Sequence, residues 1–256
     1  MLVVFDIDGV VVCNGKMISQ MQEVLKELNR KKIPYTFATG RSYLRCVESV
    51  GDILPTIPLI LENGSKILQA DGSMLKNFPL EYNSLEYIKT LLHSNCENID
   101  YACFSSYDNL KYFFYVPSIT RFNMNIKFCL TLTKCVDKFV DAAVANKCTQ
   151  ITICTKKREE IIVDDDRIEK SENNFLHIKE KGINKGMAVE VLSKYLSIPL
   201  NSVIVVGNDY NDIEMFRLNV REKILIVNNA VPNIDLIKYN VMKFNHNELV
   251  SYVYDL

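Results

Sequence analysis

The sequence predicts an α/β fold: a Rossmann-like doubly wound parallel sheet core with an inserted α+β cap domain. Three observations predict it. The chain opens on LVVF (2–5), four apolar residues without a polar break, as a strand covered on both faces requires. Short apolar runs then alternate with stretches of helical spacing over residues 1–81 and again over 179–256. Residues 82–178 break that alternation and read as a separate module of ordinary domain size.

The elements follow in order. Ile18, Met21, Val24, Leu25 and Leu28 recur at helical spacing across 18–31. Ile33–Ala38 reads as a second strand, 42–51 as a helix, and PLILE (58–62) as a third strand. Asn63-Gly64 and Asp71-Gly72 are turn signals, and the second, flanked by KILQA and SMLKN, predicts a β-hairpin. Repeated β-α-β units imply a parallel sheet with right-handed crossovers.

In the middle module, 84–95 reads as a helix, YACF (101–104) and LKYFFYV (110–116) as strands, and 134–146 as an amphipathic helix. QITICT (150–155), EIIVD (160–164) and FLHI (175–178) read as strands. The α/β pattern returns with a helix at 185–196, VIVVG (203–207), a helix from about 212 and ILIV (224–227). A helix from about 233, VMKF (241–244) and a last helix near 247–254 complete it.

Composition narrows the function. With 256 residues, 48% of them apolar, the chain can bury a large core. A net charge of −1 gives no footprint for nucleic acid or a membrane surface. No 18-residue apolar run exists, so no transmembrane helix is expected. LVVFDIDG begins at once, without a basic leader, which points to the cytoplasm. The eight cysteines stand singly, with no CxxC, and are expected to be free thiols. His93, His177 and His246 lie too far apart along the chain to suggest a metal site.

Ligands of open α/β sheets bind beyond the carboxyl ends of the strands. Asp6 and Asp8 stand there, and Gly9 lets the backbone turn away. A turn or capping role is the alternative for acids in a loop. An EF-hand loop is excluded, because the glycine follows the second acid directly and no glutamate stands at the twelfth position.

After the second strand comes ATGR (38–41). Thr39 offers a hydroxyl, and N–H groups near Gly40 can approach an anion at the start of a helix; a simple helix cap would also explain the run. Lys185 opens a helix where a cation opposes the helix dipole, unless it is merely solvated. VVGNDYND (205–212) puts Asn208, Asp209, Asn211 and Asp212 within five residues, more than one polar turn needs. Oxygen ligands without histidine or cysteine suit Mg²⁺, while lysine, hydroxyl and N–H groups suit a phosphoryl group.

DIDG, TGR, NKG and GNDYND, in that order, resemble the four motifs of the haloacid dehalogenase-like phosphatases. LENGSKI and the run GINKGMAVEVL…VIVVGNDYNDIEMF…VNNA resemble the Cof-type branch with a class IIB cap. The likeness covers residues 1–80 and about 176–232; the cap matches in length and element order alone.

The resemblance implies that Asp6 is a nucleophile forming an aspartyl-phosphate and that Asp8 protonates the leaving oxygen and then activates water. It implies that Thr39 and Gly40, with Arg41 beside them, hold the phosphate, that Lys185 neutralises charge, and that Asn211 contacts the phosphate. Mg²⁺ would rest on Asp6, the backbone carbonyl of Asp8 and a residue of the last motif, with Asp212 supporting it. The family has Gly-Asp where this chain has Gly207-Asn208 followed by Asp209, so Asn208 or Asp209 is the third ligand. A second departure is NHNELV (245–250) in place of an acidic-Gly-Val stretch.

The cap is expected to close over the site, with Tyr107, Tyr112, Phe113, Tyr115 and Arg121 as candidate pocket residues that packing would equally explain. The acid run Asp164–Asp166 beside Arg167 reads as a solvated turn. The expected activity is Mg²⁺-dependent hydrolysis of small phosphorylated metabolites, sugar phosphates foremost, with no nucleic acid, membrane or obligate protein partner. A phosphotransferase or mutase and a catalytically silent binding module on the same fold are the rivals.

Overall fold

The computed structural model describes residues 1–51, 53–108, 111–118, 129–156, 165–170, 174–227 and 236–256. The first part of the chain runs through β1 (Leu2–Phe5), β2 (Val12–Cys13), β3 (Lys16–Met17), α1 (Ser19–Arg30), β4 (Tyr35–Phe37) and α2 (Tyr43–Val50). It continues with β5 (Leu59–Leu61), β6 (Lys66–Leu68) and β7 (Met74–Asn77). The middle holds α3 (Tyr82–Ser94), β8 (Ile99–Ser105), β9 (Lys111–Tyr115), β10 (Cys129–Thr133), α4 (Val136–Ala145), β11 (Gln150–Thr155), β12 (Ile168–Lys170) and β13 (Phe175–Lys179). Last come α5 (Lys185–Tyr195), β14 (Val203–Gly207), α6 (Ile213–Phe216), β15 (Glu222–Ile226), β16 (Met242–Phe244) and α7 (His246–Asp255).

The chain divides into two compact units, Met1–Lys76 with Asn184–Leu256, and Asn77–Ile183. The second is wider than the 82–178 span read from the sequence. Both connecting segments are bonded into it: Leu80 N–H donates to Cys148 O at 2.7 Å, and Glu180 Oε2 accepts Glu81 N–H at 2.9 Å.

In the first unit a parallel sheet runs β16-β15-β14-β1-β4. The unbroken LVVF now has its reason, since side chains alternate across a strand and both faces are covered. Val3 and Phe5 join Ile204 and Val206 under α1 and α7, against Met21, Leu25, Leu28, Leu249 and Val253. Leu2 and Val4 join Val203 and Val205 on the other face, under Ala188, Val189, Leu192, Met215 and Phe216 of α5 and α6.

PLILE does not continue this sheet as a full strand. Leu59–Leu61 pairs antiparallel with β6 in a three-stranded sheet β5-β6-β7, and meets β4 through the single Ala38–Ile60 bridge. The predicted hairpin is its β6-β7 pair. The helix expected from about 212 is a 3-10 turn, Tyr210–Asp212, running into the four-residue α6. Residues 228–235, where another helix was expected to start, lie outside the described residues; a 3-10 turn, Leu236–Tyr239, follows them.

The second unit is a six-stranded sheet, β10-β9-β8-β11-β13-β12, antiparallel except for β9-β10. Its core includes Ile88, Leu92, Ala102, Phe104, Phe139, Ala143, Ile151, Ile153 and Ile178. Strands β10 and β12, at the two edges of this sheet, were not read from the sequence. EIIVD and Arg121 lie outside the described residues. Phe113 stacks on Phe104 at 4.9 Å between ring centroids and Tyr115 packs on Phe139, so both serve the core. Tyr112 is buried, and Tyr107 is exposed beside Lys147. Of the acid run, Asp164 lies outside the described residues. Asp165 accepts a two-bond fork from Arg167, which pulls its carboxyl down to about 2, and Asp166 pairs with Lys181.

Cys13, Cys46, Cys96, Cys103, Cys135, Cys148 and Cys154 are free thiols. No helix among the described residues is long and apolar enough to cross a membrane.

Phe139, 1% exposed, lies 5.2 Å from Phe104 and 6.1 Å from Tyr115 between centroids. Phe139→Ala is expected to cost about 3–5 kcal/mol through lost burial and the cavity left behind. A lower urea midpoint of the full chain checks this, and an unchanged midpoint contradicts it.

Candidate active site

Adjacent parallel strands end together, and three loops here follow neighbouring strands. Asp6 N–H donates to Val206 O at 2.8 Å, and Ala38 N–H donates to Phe5 O at 2.8 Å. The segments after β1, β4 and β14 therefore leave the same edge of the sheet, where such folds bind ligands. The fourth contribution comes from the start of α5.

Lys185 is the first residue of α5, and the side chain of Asn184 caps that helix by accepting Met187 N–H at 2.8 Å. An ammonium at a helix N-terminus is unfavourable on its own. Lys185 is 1% exposed, yet its Nζ donates to Asp6 Oδ1 and to Asp212 Oδ1 at 2.7 Å each. Burial works against its charge, but Asp212 and Asp6 outweigh burial and raise its pKa. Burial also pushes the Asp6 carboxyl up; Lys185 opposes that push, and Asp212 and Asp8 add to it.

Asp212, fully buried, spends its other oxygen on the backbone, since Oδ2 accepts Asn208 N–H at 2.8 Å and Asp209 N–H at 3.1 Å. Gly207 is required beside it, because a Cβ there would sit 2.5 Å from Asp212 Oδ2. Asp209 caps the short turn, its Oδ1 accepting Tyr210 N–H at 2.6 Å. Asn208 lies against the DIDG turn, so a Cβ on Gly9, whose φ is +81°, would overlap its Nδ2. Asn208 Oδ1 and Asn211 Oδ1 are buried and accept no hydrogen bond among the described residues.

Asp8 stands apart from this buried group. It is exposed and accepts a fork from Arg41, Nε to Oδ2 at 2.8 Å and Nη2 to Oδ1 at 2.6 Å. That charge-assisted bond raises the pKa of Arg41. Thr39 is buried; its Oγ1 accepts Arg41 N–H at 3.1 Å and its N–H donates to Ile60 O at 3.0 Å. Gly40 packs against the amide of Asn63.

Asp6, Lys185 and Asp212 are thus in direct contact, and Asn208 and Asp209 hang on Asp212. Thr39, Gly40 and Arg41 join through the neighbouring strand and through Asp8. The resemblance would rest Mg²⁺ on Asp6, the backbone carbonyl of Asp8 and either Asn208 or Asp209, with Asp212 supporting them. Asp8 is held by Arg41, Asp209 by the turn and Asp212 by Lys185, and no cluster of three or more His, Cys, Asp or Glu side chains able to hold a metal stands among the described residues. A smaller oxygen set does fit a hard cation. Asp6 and Asp212 bring buried carboxyl oxygens to one ammonium, and the unpartnered Asn208 Oδ1 lies beside the turn that carries Asp8.

The turn at Glu62–Gly64 was not recognised as part of the site. It touches both Gly40 and Asn184; its sequence signals were the Asn-Gly turn pair and its place in LENGSKI, neither of which assigned it a role at the site.

A family model described as haloacid dehalogenase-like hydrolase matches residues 3–253. An HMP-PP phosphatase of Enterobacter sp. (strain 638) is 26% identical over 98% of this chain and 93% of its own length. An HMP-PP phosphatase of Citrobacter koseri is 27% identical over the same shares, 98% and 93%. Among solved structures, one described as the HAD subclass IIB sugar phosphatase BT4131 superposes with a TM-score of 0.76 at 15% identity, covering 99% of this chain and 98% of that one, which shows a common fold.

Lys185→Met leaves two buried carboxylates without their counter-ion and should destabilise the chain by about 3–5 kcal/mol. Uncompensated carboxylates are relieved by protonation and bind protons more tightly folded than unfolded. The deficit is therefore expected to widen as pH rises from the carboxylate range to neutrality, and to narrow again on acidification. Denaturant midpoints of both proteins at pH 4.5 and pH 7.5, each taken as about the edge of that window, check the sign.

Proposed function

The chain belongs to the haloacid dehalogenase-like hydrolases and is a phosphatase of that family, and on that footing we propose that it hydrolyses small phosphomonoesters with Asp6 as the nucleophile. The observation that carries this reading is the pair of 2.7 Å contacts from Lys185 to Asp6 and Asp212. They fix a carboxylate in a buried setting with a cation beside it, the arrangement an attacking group and a phosphoryl charge both need.

Asp6 attacks phosphorus in line, and the bond from phosphorus to the leaving oxygen breaks. Asp8 gives its proton to that oxygen, a role worth about 10²–10⁴-fold. Water then attacks the aspartyl-phosphate, Asp8 takes its proton, and phosphate and free Asp6 result. Lys185 neutralises charge on nucleophile and phosphoryl group, while Asp212 keeps Lys185 aimed and holds the Asn208–Asp209 backbone. Thr39 and Gly40 hold phosphate oxygens and Asn211 contributes its amide. Arg41 turns from Asp8 to a phosphate oxygen when substrate is bound, which releases Asp8 to carry a proton.

Mg²⁺, when bound, would supply the positive charge that keeps Asp6 ionised beside a phosphate. Asp6, the backbone carbonyl of Asp8 and Asn208 would hold it. Asn208 is preferred to Asp209 because its oxygen is unpartnered whereas Asp209 caps a turn.

The substrate class is small phosphorylated metabolites, sugar phosphates or related compounds. The names of the relatives, HMP-PP phosphatase and sugar phosphatase, support it.

Asp6→Asn is expected to abolish Mg²⁺-dependent release of phosphate from an aryl phosphate while the far-UV spectrum stays that of the parent; retained turnover removes Asp6 from its role. A second variant probes the departure from the family motif. Asn208→Asp adds a charged ligand and should lower the Mg²⁺ concentration for half-maximal turnover by about tenfold, since ligand charge tunes affinity. An unchanged Mg²⁺ requirement takes Asn208 out of the metal set.

A further inference from the structure

The turn Glu62–Asn63–Gly64 follows β5 and is built on three consecutive left-handed residues, with φ of +50°, +53° and +97°. Glu62 carries a side chain that disfavours this region, at a cost of about 1–2 kcal/mol for an ordinary residue, while asparagine and glycine tolerate it better. Such strain persists only where the surroundings impose it. All three residues are buried, and the Glu62 carboxylate lies 3.4 Å from the Lys66 ammonium, with the two side chains 3% and 1% exposed.

Successive N–H groups in such a turn point to one side. Here they grip the loop after β4. Glu62 N–H donates to Arg41 O at 3.0 Å and Asn63 N–H donates to Thr39 O at 2.9 Å, so both flanking carbonyls of Thr39-Gly40-Arg41 are held by neighbouring donors. The Asn63 amide closes over the residue between them; a Cβ on Gly40 would sit 3.0 Å from Asn63 Oδ1 and 3.2 Å from Nδ2. On its other side the turn meets α5, because a Cβ on Gly64 would overlap the backbone oxygen of Asn184, the residue before Lys185.

We propose that Asn63 is a positioning residue: its left-handed backbone, with Glu62 and Gly64, sets the spacing between the Thr39–Arg41 loop and the start of the helix that carries Lys185. This rests on the phosphatase reading above, in which that loop and that lysine grip the same phosphoryl group. Asn63 touches no reacting atom. It acts through the Thr39 carbonyl, which its own N–H holds, and through the turn conformation that lets Glu62 N–H hold the Arg41 carbonyl, so loss of that conformation should weaken the hold on phosphate more than the chemical step.

The test compares Asn63→Ala with Asn63→Gly in the full chain. Alanine is strained in the left-handed region, and glycine adopts it freely. With an aryl phosphate and Mg²⁺, Asn63→Ala is expected to raise KM, and the inhibition constant of inorganic phosphate, by about tenfold, the loss of roughly one well-placed hydrogen bond. Its kcat should change by less than about threefold, because the attacking group is untouched. Asn63→Gly should return both constants to within about threefold of the parent, since the turn conformation is restored. Calorimetric titration of inorganic phosphate in the presence of Mg²⁺ reads the same loop without turnover. Equal affinity for phosphate in the parent and Asn63→Ala overturns the proposal, even if Asn63→Ala melts earlier, because that would be a merely structural role. Failure of glycine to rescue overturns it too. A parent protein that binds phosphate but never hydrolyses an ester sinks the phosphatase reading and leaves this comparison intact. A parent that does neither sinks both.

Discussion

A lysine ammonium buried between two carboxylates organises the first unit. Removing one charge from water costs several kcal/mol, and Lys185 sits at the helix end where the dipole is least welcoming. The two 2.7 Å contacts offset that cost only if β1, β14 and α5 arrive at the same place. Residues 6, 185 and 212 are far apart along the chain, so the ion cluster requires the parallel sheet, and the sheet gains from the cluster a single registered arrangement of its ends.

The close contacts around the cluster show how little slack the arrangement has. Gly207 leaves room for Asp212, Gly9 for Asn208 and Gly64 for the oxygen of Asn184. The first closes the loop after β14 on itself, and the other two bring segments remote in sequence into contact. Gly186 belongs with them, since a Cβ there would overlap the Glu214 carbonyl, which lets α6 lie directly on the first turn of α5. These approaches bring the loop after β14 and the helix carrying Lys185 within hydrogen-bond reach of each other. The buried amide oxygens of Asn208 and Asn211 accept no hydrogen bond among the described residues, whereas Asp6, Lys185 and Asp212 beside them are all engaged.

Most of the first unit was legible because its signals are local. LVVF and VIVVG are continuous apolar runs, helices α1 and α5 carry their spacing on the surface of the sequence, and DIDG, TGR, NKG and GNDYND each occupy a few adjacent residues. What was illegible depends on partners remote in sequence. β12, as IEK, is too short to declare itself, β10, as CLTLT, alternates threonine with apolar residues rather than running apolar, and both lie at sheet edges beside β13 and β9. PLILE looked like a member of the parallel sheet, but a tight turn after it sends the chain back at once, so its ladder forms with β6 and only a bridge at Ile60 reaches the segment after β4. The aromatics of the cap have the composition of a binding surface, and Phe113 and Tyr115 are packed into its core instead.

By itself the sequence determined the chemistry: which side chains stand at strand ends, and that oxygen donors, a hydroxyl and a lysine are the groups available there. It could do so because periodicity and motif are properties of neighbouring residues. Only the tertiary structure decided how those groups share their bonds. That Asp212 serves Lys185 and two N–H groups, that Asp8 is forked by Arg41, and that Asn208 keeps an unpartnered oxygen follow from distances across loops, which no one stretch of the chain encodes. The left-handed turn at Glu62–Gly64 belongs with them, because its conformation is imposed by the loop it grips and by the helix end it abuts.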